Sequence, residues 1–528
     1  MNAKPFDAEE HAMSFIVQLQ KAWKNQNSRK LFCCAMAGSL FWGLLAHAFV
    51  YLNYIPMHDA LNYTSRYASG WEIAMGRFGQ LIYAKFRSTY STPWLGGVFS
   101  LFFIGAAAFL ICDILQLENK PLVFVSSGLL VANATLTDAN CSFLYVADTF
   151  ALAMLLACAG AWVLLKLQGH WAVKAVAASL FFTATMTLYQ SYITTAVLLL
   201  LFSVMHKAMT QSRLITAEWK NWLGYILSML LTLIFYFLLF KLFLHHYHVS
   251  IANSYNSPAN LLTLSFKPLW NSALAVCANV ACFFAGVDGS FTLIHALHLA
   301  LGGAAVILMI RQLRKQKMPL FNWFVVLVGC VACLLVAVLM SIIMKDDSID
   351  FLTSHGLFLL YPAALSLISR AQLRWHRGVR VCALFACICI LISNTIFSNE
   401  IYTYQKLQYD KTLSHMTRVL YDVNNTPGYV CDQTKVVIIG HSGFAPYIAN
   451  GPKPEGVQWL RGFTTLSPSD RISFGSYIQN MGEMMNVDSS AETMDVMMAH
   501  PAVQAMPHYP INGYCQLVDD TVVVKLLY

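Results

Sequence analysis

Between Pro56 and Trp94 the chain gathers carboxylates, guanidinium groups and aromatic rings into one short connection, PMHDALNYTSRYASGWEIAMGRFGQLIYAKFRSTYSTPW. If Asp59 starts a helix, Asn62 or Tyr63 and then Arg66 share its face, at spacings of three, four and seven residues. A carboxylate and a guanidinium facing one spot can accept a proton from a hydroxyl and hold an anionic leaving group such as a phosphate. The same pattern also arises where an Asp merely caps a helix and an Arg snorkels to water. Arg77 stands in Met75-Gly76-Arg77-Phe78-Gly79, whose glycines either let backbone approach a partner closely or mark a turn. Glu72 follows Trp71 at what reads as a second interfacial helix, or on a solvated face.

Further polar groups stand near other apolar runs. Asp148, in FLYVADTFALAML, falls inside a predicted span, where an ionised side chain is costly and so is paired or set in a water-filled cavity. Tyr189 and Gln190, in LYQSY, lie between two spans and suit either sugar hydroxyls or helix–helix hydrogen bonds. Lys241 can meet a lipid phosphate or snorkel. The run His245-His246-Tyr247-His248 that follows lacks the carboxylates and spacing of a metal site, so no metal is predicted. Lys345, Asp346, Asp347, Asp350 and His355 form another cluster, either part of the same cleft or a hydrated loop. Gly440-His441-Ser442-Gly443-Phe444 is similar to a nucleophile elbow, but Phe444 stands where the closing glycine belongs, which argues against a serine hydrolase.

The elements that position these residues follow from composition. Of 528 residues, 57% are hydrophobic and only 11% charged, against about one quarter charged in soluble proteins, so the chain reads as an integral membrane protein. A span needs about 20 apolar residues. On that rule about eleven spans are predicted, at 31–52, 94–115, 121–137, 142–166, 171–187, 190–208, 220–244, 288–311, 321–344, 352–369 and 379–398. The net charge of +8 comes from Lys and Arg grouped between those runs, where they report orientation rather than affinity for nucleic acid. Lys166 with Lys174, Lys207 with Arg213, Arg311 to Lys317, and Arg370 to Arg380 all fall on the side of the N-terminus. The run 269–285 is apolar enough to span, yet spanning there would put the Arg311 cluster on the wrong side, so a re-entrant or interfacial segment is expected.

Ala46-His47-Ala48 resembles a signal-peptide cleavage site, but the long lead before it, with Lys21, Lys24, Arg29 and Lys30, predicts a retained first span behind an interfacial helix over 1–30. Residues 31–398 then make the membrane domain, with its first outward loop over 53–93. Residues 399–528 make a small outward domain in which Lys435–Gly440 and Thr521–Leu527 read as strands of an α/β fold. Most of the fourteen cysteines sit in apolar runs as small core residues, whereas Cys431 and Cys515 lie in the polar tail and form a candidate disulfide.

The order of these parts resembles the Gtr-type serotype-converting O-antigen glucosyltransferases of bacteria and their phages, the glucosyltransferase II-like group. The likeness rests on Asp59, Arg66 and Gly76-Arg77 in the first loop, Phe143 to Asp148, Tyr189-Gln190, and the outward tail. It implies a GT-C architecture in the bacterial inner membrane, with the N-terminus cytoplasmic and the C-terminus periplasmic. It implies a donor such as undecaprenyl-phosphate glucose, a lipid-linked O-antigen acceptor on the periplasmic side, and as partners a donor synthase and a small flippase. Where the family leads one to expect an acidic pair, His58 precedes Asp59, so Asp59 works alone, with His58 or with Glu72. Asp59, Glu72 and Asp148 are then catalytic candidates, and Arg66, Arg77 and Lys241 donor-phosphate ligands. His58, Tyr189, Gln190, Asp347 and His355 would bind sugar or acceptor, and no cofactor is required because arginine can carry the phosphate charge. A lipid-sugar flippase would use the same basic residues without a catalytic carboxylate, and a structural subunit would need none of them.

Overall fold

The computed structural model describes residues 25–55, 60, 70–88, 90–252, 265–344, 351–371, 376–439, 460, 485–488 and 490–526. Apolar runs become helices because a segment in lipid has to satisfy every backbone N–H and C=O within itself. In chain order the helices are α1 (Gln26–Leu52), α2 (Gly70–Ala74), α3 (Gly79–Arg87), α4 (Pro93–Ile114), α5 (Lys120–Val131), α6 (Ala134–Phe143), α7 (Ala147–Lys166) and α8 (Trp171–Leu188). They continue with α9 (Ile193–Ala208), α10 (Leu214–Tyr247), α11 (Phe266–Ala285), α12 (Leu293–Lys315), α13 (Leu320–Ala337), α14 (Leu339–Met344), α15 (Leu360–Arg370) and α16 (His376–Asn424). A 3-10 turn, Gln190–Tyr192, precedes α9, and two more, Phe351–Thr353 and His355–Leu359, lead into α15. Eleven described segments are long and apolar enough to cross a membrane, as a polytopic GT-C-like protein requires.

Polar contacts sort the helix ends into two sets. At one end, Arg370 closes α15 by donating to Gln116 Oε1 beyond α4 (3.0 Å) and lies 3.2 Å from His206 Nε2 in α9. Asn322 of α13 donates there to the carbonyls of Ala208 and Gln211, both at 2.7 Å, and Lys166 of α7 meets Asp113 of α4 at 3.5 Å. This basic end carries the arginine and lysine clusters. At the opposite end the 70–88 segment meets the close of α10, where the Ala252 N–H donates to Ala74 O at 3.2 Å.

Two spans differ from expectation in make-up. The length and composition of α11 suit a crossing. But α12 finishes at the basic end, in a cavity shared with Gln116, His206 and Arg370, so it begins at the opposite end, where His298 packs on Phe284 of α11 at 5.3 Å. Residues 253–264, which join α10 to α11, lie outside the described residues, so the expectation that 269–285 re-enters rests on the charge pattern alone. The segment expected to cross over 352–369 is built instead from 3-10 turns and the short α15, and the eleven long apolar helices include α11 in its place.

The third expected span, 121–137, is broken. Asn133 adopts an extended conformation (φ −155°, ψ 167°), accepts the Leu136 N–H on its side chain at 3.1 Å, and starts α6 afresh. Everything from Ala134 to Ser142 is buried, so Asp138 and Asn140, expected in a connection between spans, lie inside protein. Nearby, His47 of α1 joins three helices, with Nδ1 2.7 Å from the Tyr402 hydroxyl of α16 and Nε2 2.9 Å from Val131 O of α5.

The domain boundary expected at 399 falls inside α16, which continues unbroken to Asn424. Beyond it come β1 (Lys435–Ile439), β2 (Asn486–Val487), α17 (Ala491–Ala499), α18 (Pro501–Ala505), β3 (Cys515–Val518) and β4 (Thr521–Lys525), with strand order β2-β1-β4-β3. β1 runs parallel to β4, and both faces of the pair are covered. Met416, Val419 and Val423 of α16 pack on Val436, Val522 and Val524, while Met494 and Val503 pack on Val437 and Val523. Such burial on both sides explains the unbroken apolar runs of β1 and β4. The expected Cys431–Cys515 disulfide is not made: Cys431 is exposed in the turn before β1, and Cys515 directs its Sγ to Thr426 Oγ1 at 3.3 Å. Gly440 to Phe444 lie outside the described residues.

Candidate functional site

Helices α2 and α3 form a short pair, bent at Met75 to Phe78 and pressed onto α8 and α10. Gly76 has φ +74°, and a Cβ there would stand 2.1 Å from the Tyr236 hydroxyl. Glycine therefore lets Tyr236 of α10 donate to Gly76 O at 3.1 Å, while Gln190 donates to Met75 O at 2.8 Å and to the Tyr236 oxygen at 3.0 Å. At Gly79 a Cβ would lie 2.4 Å from Thr187 Oγ1, and Gln80 beside it donates to Leu188 O at 2.8 Å. The two glycines thus serve a turn and a close approach together. Phe78 completes the clamp by stacking on Phe243 of α10 at 4.4 Å.

This clamp fixes Arg77, half-buried, with its guanidinium 4.6 Å from the centre of the Tyr189 ring. Glu72 is buried one turn earlier, and its carbonyl accepts the Arg77 N–H at 2.7 Å. Arg77, Tyr189 and Gln190, separate in sequence, are brought together.

Asp148 occupies the first turn of α7, where unpaired N–H groups favour a carboxylate. Arg87 Nε stands 3.3 Å from Asp148 Oδ2, with the two side chains 1% and 0% exposed, and the Tyr83 hydroxyl donates to the same oxygen at 3.0 Å. Arg87 also donates to Tyr145 O at 2.7 Å. Tyr83 and Arg87 are four residues apart on α3, so one face of that helix grips the start of α7. Burial, reinforced by the Asp148 carboxylate, holds the Tyr83 hydroxyl well above the ordinary tyrosine range and keeps it a donor. Of the two expectations for Asp148, pairing is the one realised.

A train of rings links this pair to the rest. Phe150, two residues beyond Asp148, contacts Tyr189 at 4.3 Å; Tyr189 lies 6.0 Å from Tyr192; and Tyr192 stacks on His355 at 3.9 Å. His355 is buried with Nε2 2.7 Å from Thr195 Oγ1, and it lines a cavity of about 20 Å³ with Asn133 and Thr135. Lys241 stands apart from this group. Tyr236 and Phe240 of the same helix pack on Phe78, but Lys241 is exposed on the flank of α10. His58, Asp59, Arg66 and Asp347 lie outside the described residues. Among the described residues no group of three or more His, Cys, Asp or Glu side chains is placed to hold a metal.

Sequence reasoning passed over Arg87, Tyr83 and Tyr236. For the first two the signal was incomplete: Tyr83 and Arg87 share a face at i, i+4, but nothing in that spacing names Asp148 as their partner. Tyr236 left none, since a tyrosine in an apolar helix looks like core.

Among known families, the model described as Glucosyl transferase GtrII matches residues 48–361, more than half of the 528-residue chain. The match runs from the close of α1 to the start of α15, and so includes the clamped pair, Asp148, Tyr189 and His355 while leaving out the tail. No curated protein and no solved structure matches the chain.

Proposed function

This chain belongs to the GtrII glucosyl transferase family, and from that premise we propose that it moves glucose from a polyprenyl-phosphate carrier, such as undecaprenyl phosphate, to a lipid-linked O-antigen acceptor. The reaction is assigned to the membrane face opposite the basic end, which the positive-inside rule makes periplasmic in a bacterial inner membrane.

The observation that carries this reading is Arg77, half-buried over Tyr189 in a turn whose Met75 and Gly76 carbonyls accept hydrogen bonds from Gln190 and Tyr236. Asp59, with His58 or Glu72 beside it, takes the acceptor hydroxyl proton. The acceptor oxygen bonds to the anomeric carbon from the face opposite the carrier. The carbon–oxygen bond to the phosphate breaks with inversion, and polyprenyl phosphate leaves with the electron pair. Arg66 and Arg77 stabilise the charge it gains, a role in which losing one donor commonly costs about 10²–10³-fold. Tyr189 and Gln190, with Asp347 and His355, are assigned to sugar or acceptor, and Lys241 to a carrier phosphate approaching from the lipid side. Asp148 is given a positioning role, because Arg87 and Tyr83 already engage its carboxylate. Guanidinium groups suffice for the phosphate, so the scheme uses no metal. A donor synthase and a small flippase would supply the carrier on this face.

Asp59→Asn in the full chain, assayed for glucose transfer and for donor binding, tests the assignment. General-base help is worth about 10²–10⁴-fold, so transfer should fall by that order while donor still binds. Unchanged transfer would remove Asp59 from the chemistry. Loss of binding together with transfer would favour a carrier-gripping role.

A further inference from the structure

Two irregular stretches of the bundle, the break between α5 and α6 and the 3-10 turns before α15, meet at the cavity of about 20 Å³ that His355 lines. We infer that this cavity binds one ordered water molecule, held by the backbone of the break and by His355.

A helix that stops inside protein leaves carbonyls at its end and N–H groups at the next start, and each has to find a partner. At the end of α5 the Leu129 carbonyl accepts from Asn133 Nδ2 at 3.0 Å, that of Val131 from His47 Nε2 at 2.9 Å, and that of Ala132 from Asn394 Nδ2 at 2.9 Å. Among the described residues the Leu130 carbonyl is left over. At the start of α6 the Leu136 N–H goes to Asn133 Oδ1 at 3.1 Å and the Thr137 N–H to Asn133 O at 3.0 Å, which leaves the N–H groups of Ala134 and Thr135. Leu130 and Thr135 both line the cavity. Thr135 also donates from Oγ1 to Phe351 O at 2.7 Å, so the two irregular stretches are tied together beside it. From the facing wall comes His355, 5% exposed, whose Nε2 stands 2.7 Å from Thr195 Oγ1 while its buried Nδ1 has no partner among the described residues.

Size and chemistry together select the ligand. A space of this volume admits about one water molecule and no organic group. The leftover groups are an acceptor, the Leu130 carbonyl, a donor, the Thr135 N–H, and His355 Nδ1, which does either according to tautomer. An anion would meet the negative end of the carbonyl and a cation the positive end of the N–H. Water both donates and accepts, and about three hydrogen bonds are usual for a buried one. Irregular backbone persists at membrane depth only where it is buried in protein with its polar groups paired. The water therefore belongs to the break itself, and it joins the start of α6 to the segment that leads into α15.

The test is a structure of the full-length chain in lipid nanodiscs, at a resolution that shows ordered solvent, in chloride buffer and in buffer free of halide. One solvent peak should stand within about 3 Å of His355 Nδ1 in both. No peak among well-ordered side chains would overturn the site, and a peak lost without halide would make the ligand an anion rather than water. A double-mutant cycle in detergent gives a second reading. Ala151→Val adds bulk to the α7 wall of the cavity and expels the water, whereas His355→Phe keeps a flat ring against Tyr192 and removes a nitrogen that holds it. Ala151→Val should then lower the melting temperature more in wild type than in His355→Phe, where the water has already lost a partner. Equal falls would mean overpacking of a dry space, contrary to the inference.

Discussion

A carboxylate with no exposed surface stays ionised only beside a partner of opposite charge, and Asp148 has one in Arg87. The pair ties α3, an element of the clamped connection, to the first turn of α7, so its purpose is read in geometry rather than in net energy. Removing one member leaves the other charged and buried, at about 3–5 kcal/mol, whereas well-packed apolar replacement of both is often neutral. Asp148→Ala should therefore lower thermal stability by that order. Arg87→Met with Asp148→Leu should recover the folded yield in detergent and a substantial part of glucose transfer. Recovery of fold without transfer would show that the Asp148 carboxylate takes part in the chemistry, contrary to the positioning role. This pairing was not legible in the sequence. Asp148 announced itself as a costly charge in an apolar run, but its partner lies on a separate helix, and local spacing does not encode which distant guanidinium will meet it.

Elements were legible where a periodic or unbroken apolar pattern met a simple physical limit. Lys435–Gly440 and Thr521–Leu527 read as strands, and Lys435–Ile439 and Thr521–Lys525 form them, because both faces of that pair are buried; the neighbouring connection is equally local in its logic. Asp488, after β2, accepts the Ser490 N–H at 2.9 Å and the Thr493 hydroxyl at 2.9 Å, and pairs with Lys435 of β1 at 3.0 Å. The Ser490 N–H is the leading reason its carboxyl is held well below the usual carboxylate range. A depressed folded-state value contributes stability that is complete above the unfolded value, about 4, and fades as pH falls through the folded one. Asp488→Ala should accordingly loosen β1 by about 1 kcal/mol at neutral pH. Its difference from wild type should narrow below about pH 4, read as hydrogen exchange at Val436 to Ile438. Exchange that differs equally at every pH would mean that the carboxylate charge is irrelevant. The elements missed are those that break a pattern inside protein. One asparagine in an apolar run, Asn133, gives no warning that a helix will stop and restart, and a crossing made from 3-10 turns has the length of a span without its regular helix.

At the scale of the whole molecule, charge sets the arrangement. Lys166, Lys207, Arg311, Arg314, Lys315 and Arg370 gather at one end, while Arg77, Arg87 and the start of the tail helix beyond Tyr402 stand towards the other. Bilayers enforce such asymmetry because cationic loops are retained on the cytoplasmic side. Length and apolarity alone would have α11 cross and would invert everything after it. The positive-inside reading of the Arg311 cluster argues against that crossing, and labelling tests it. In a cysteine-free background, Lys267→Cys in the first turn of α11 and Asp288→Cys just beyond its close mark its two ends at exposed positions, and Arg314→Cys marks the exposed close of α12. Both flanking cysteines should react with a membrane-impermeant maleimide added to intact cells, and Arg314→Cys should react only after permeabilisation. Labelling of Lys267→Cys and Asp288→Cys from opposite sides would make α11 a crossing helix. It would also set the Arg311 cluster against the positive-inside rule.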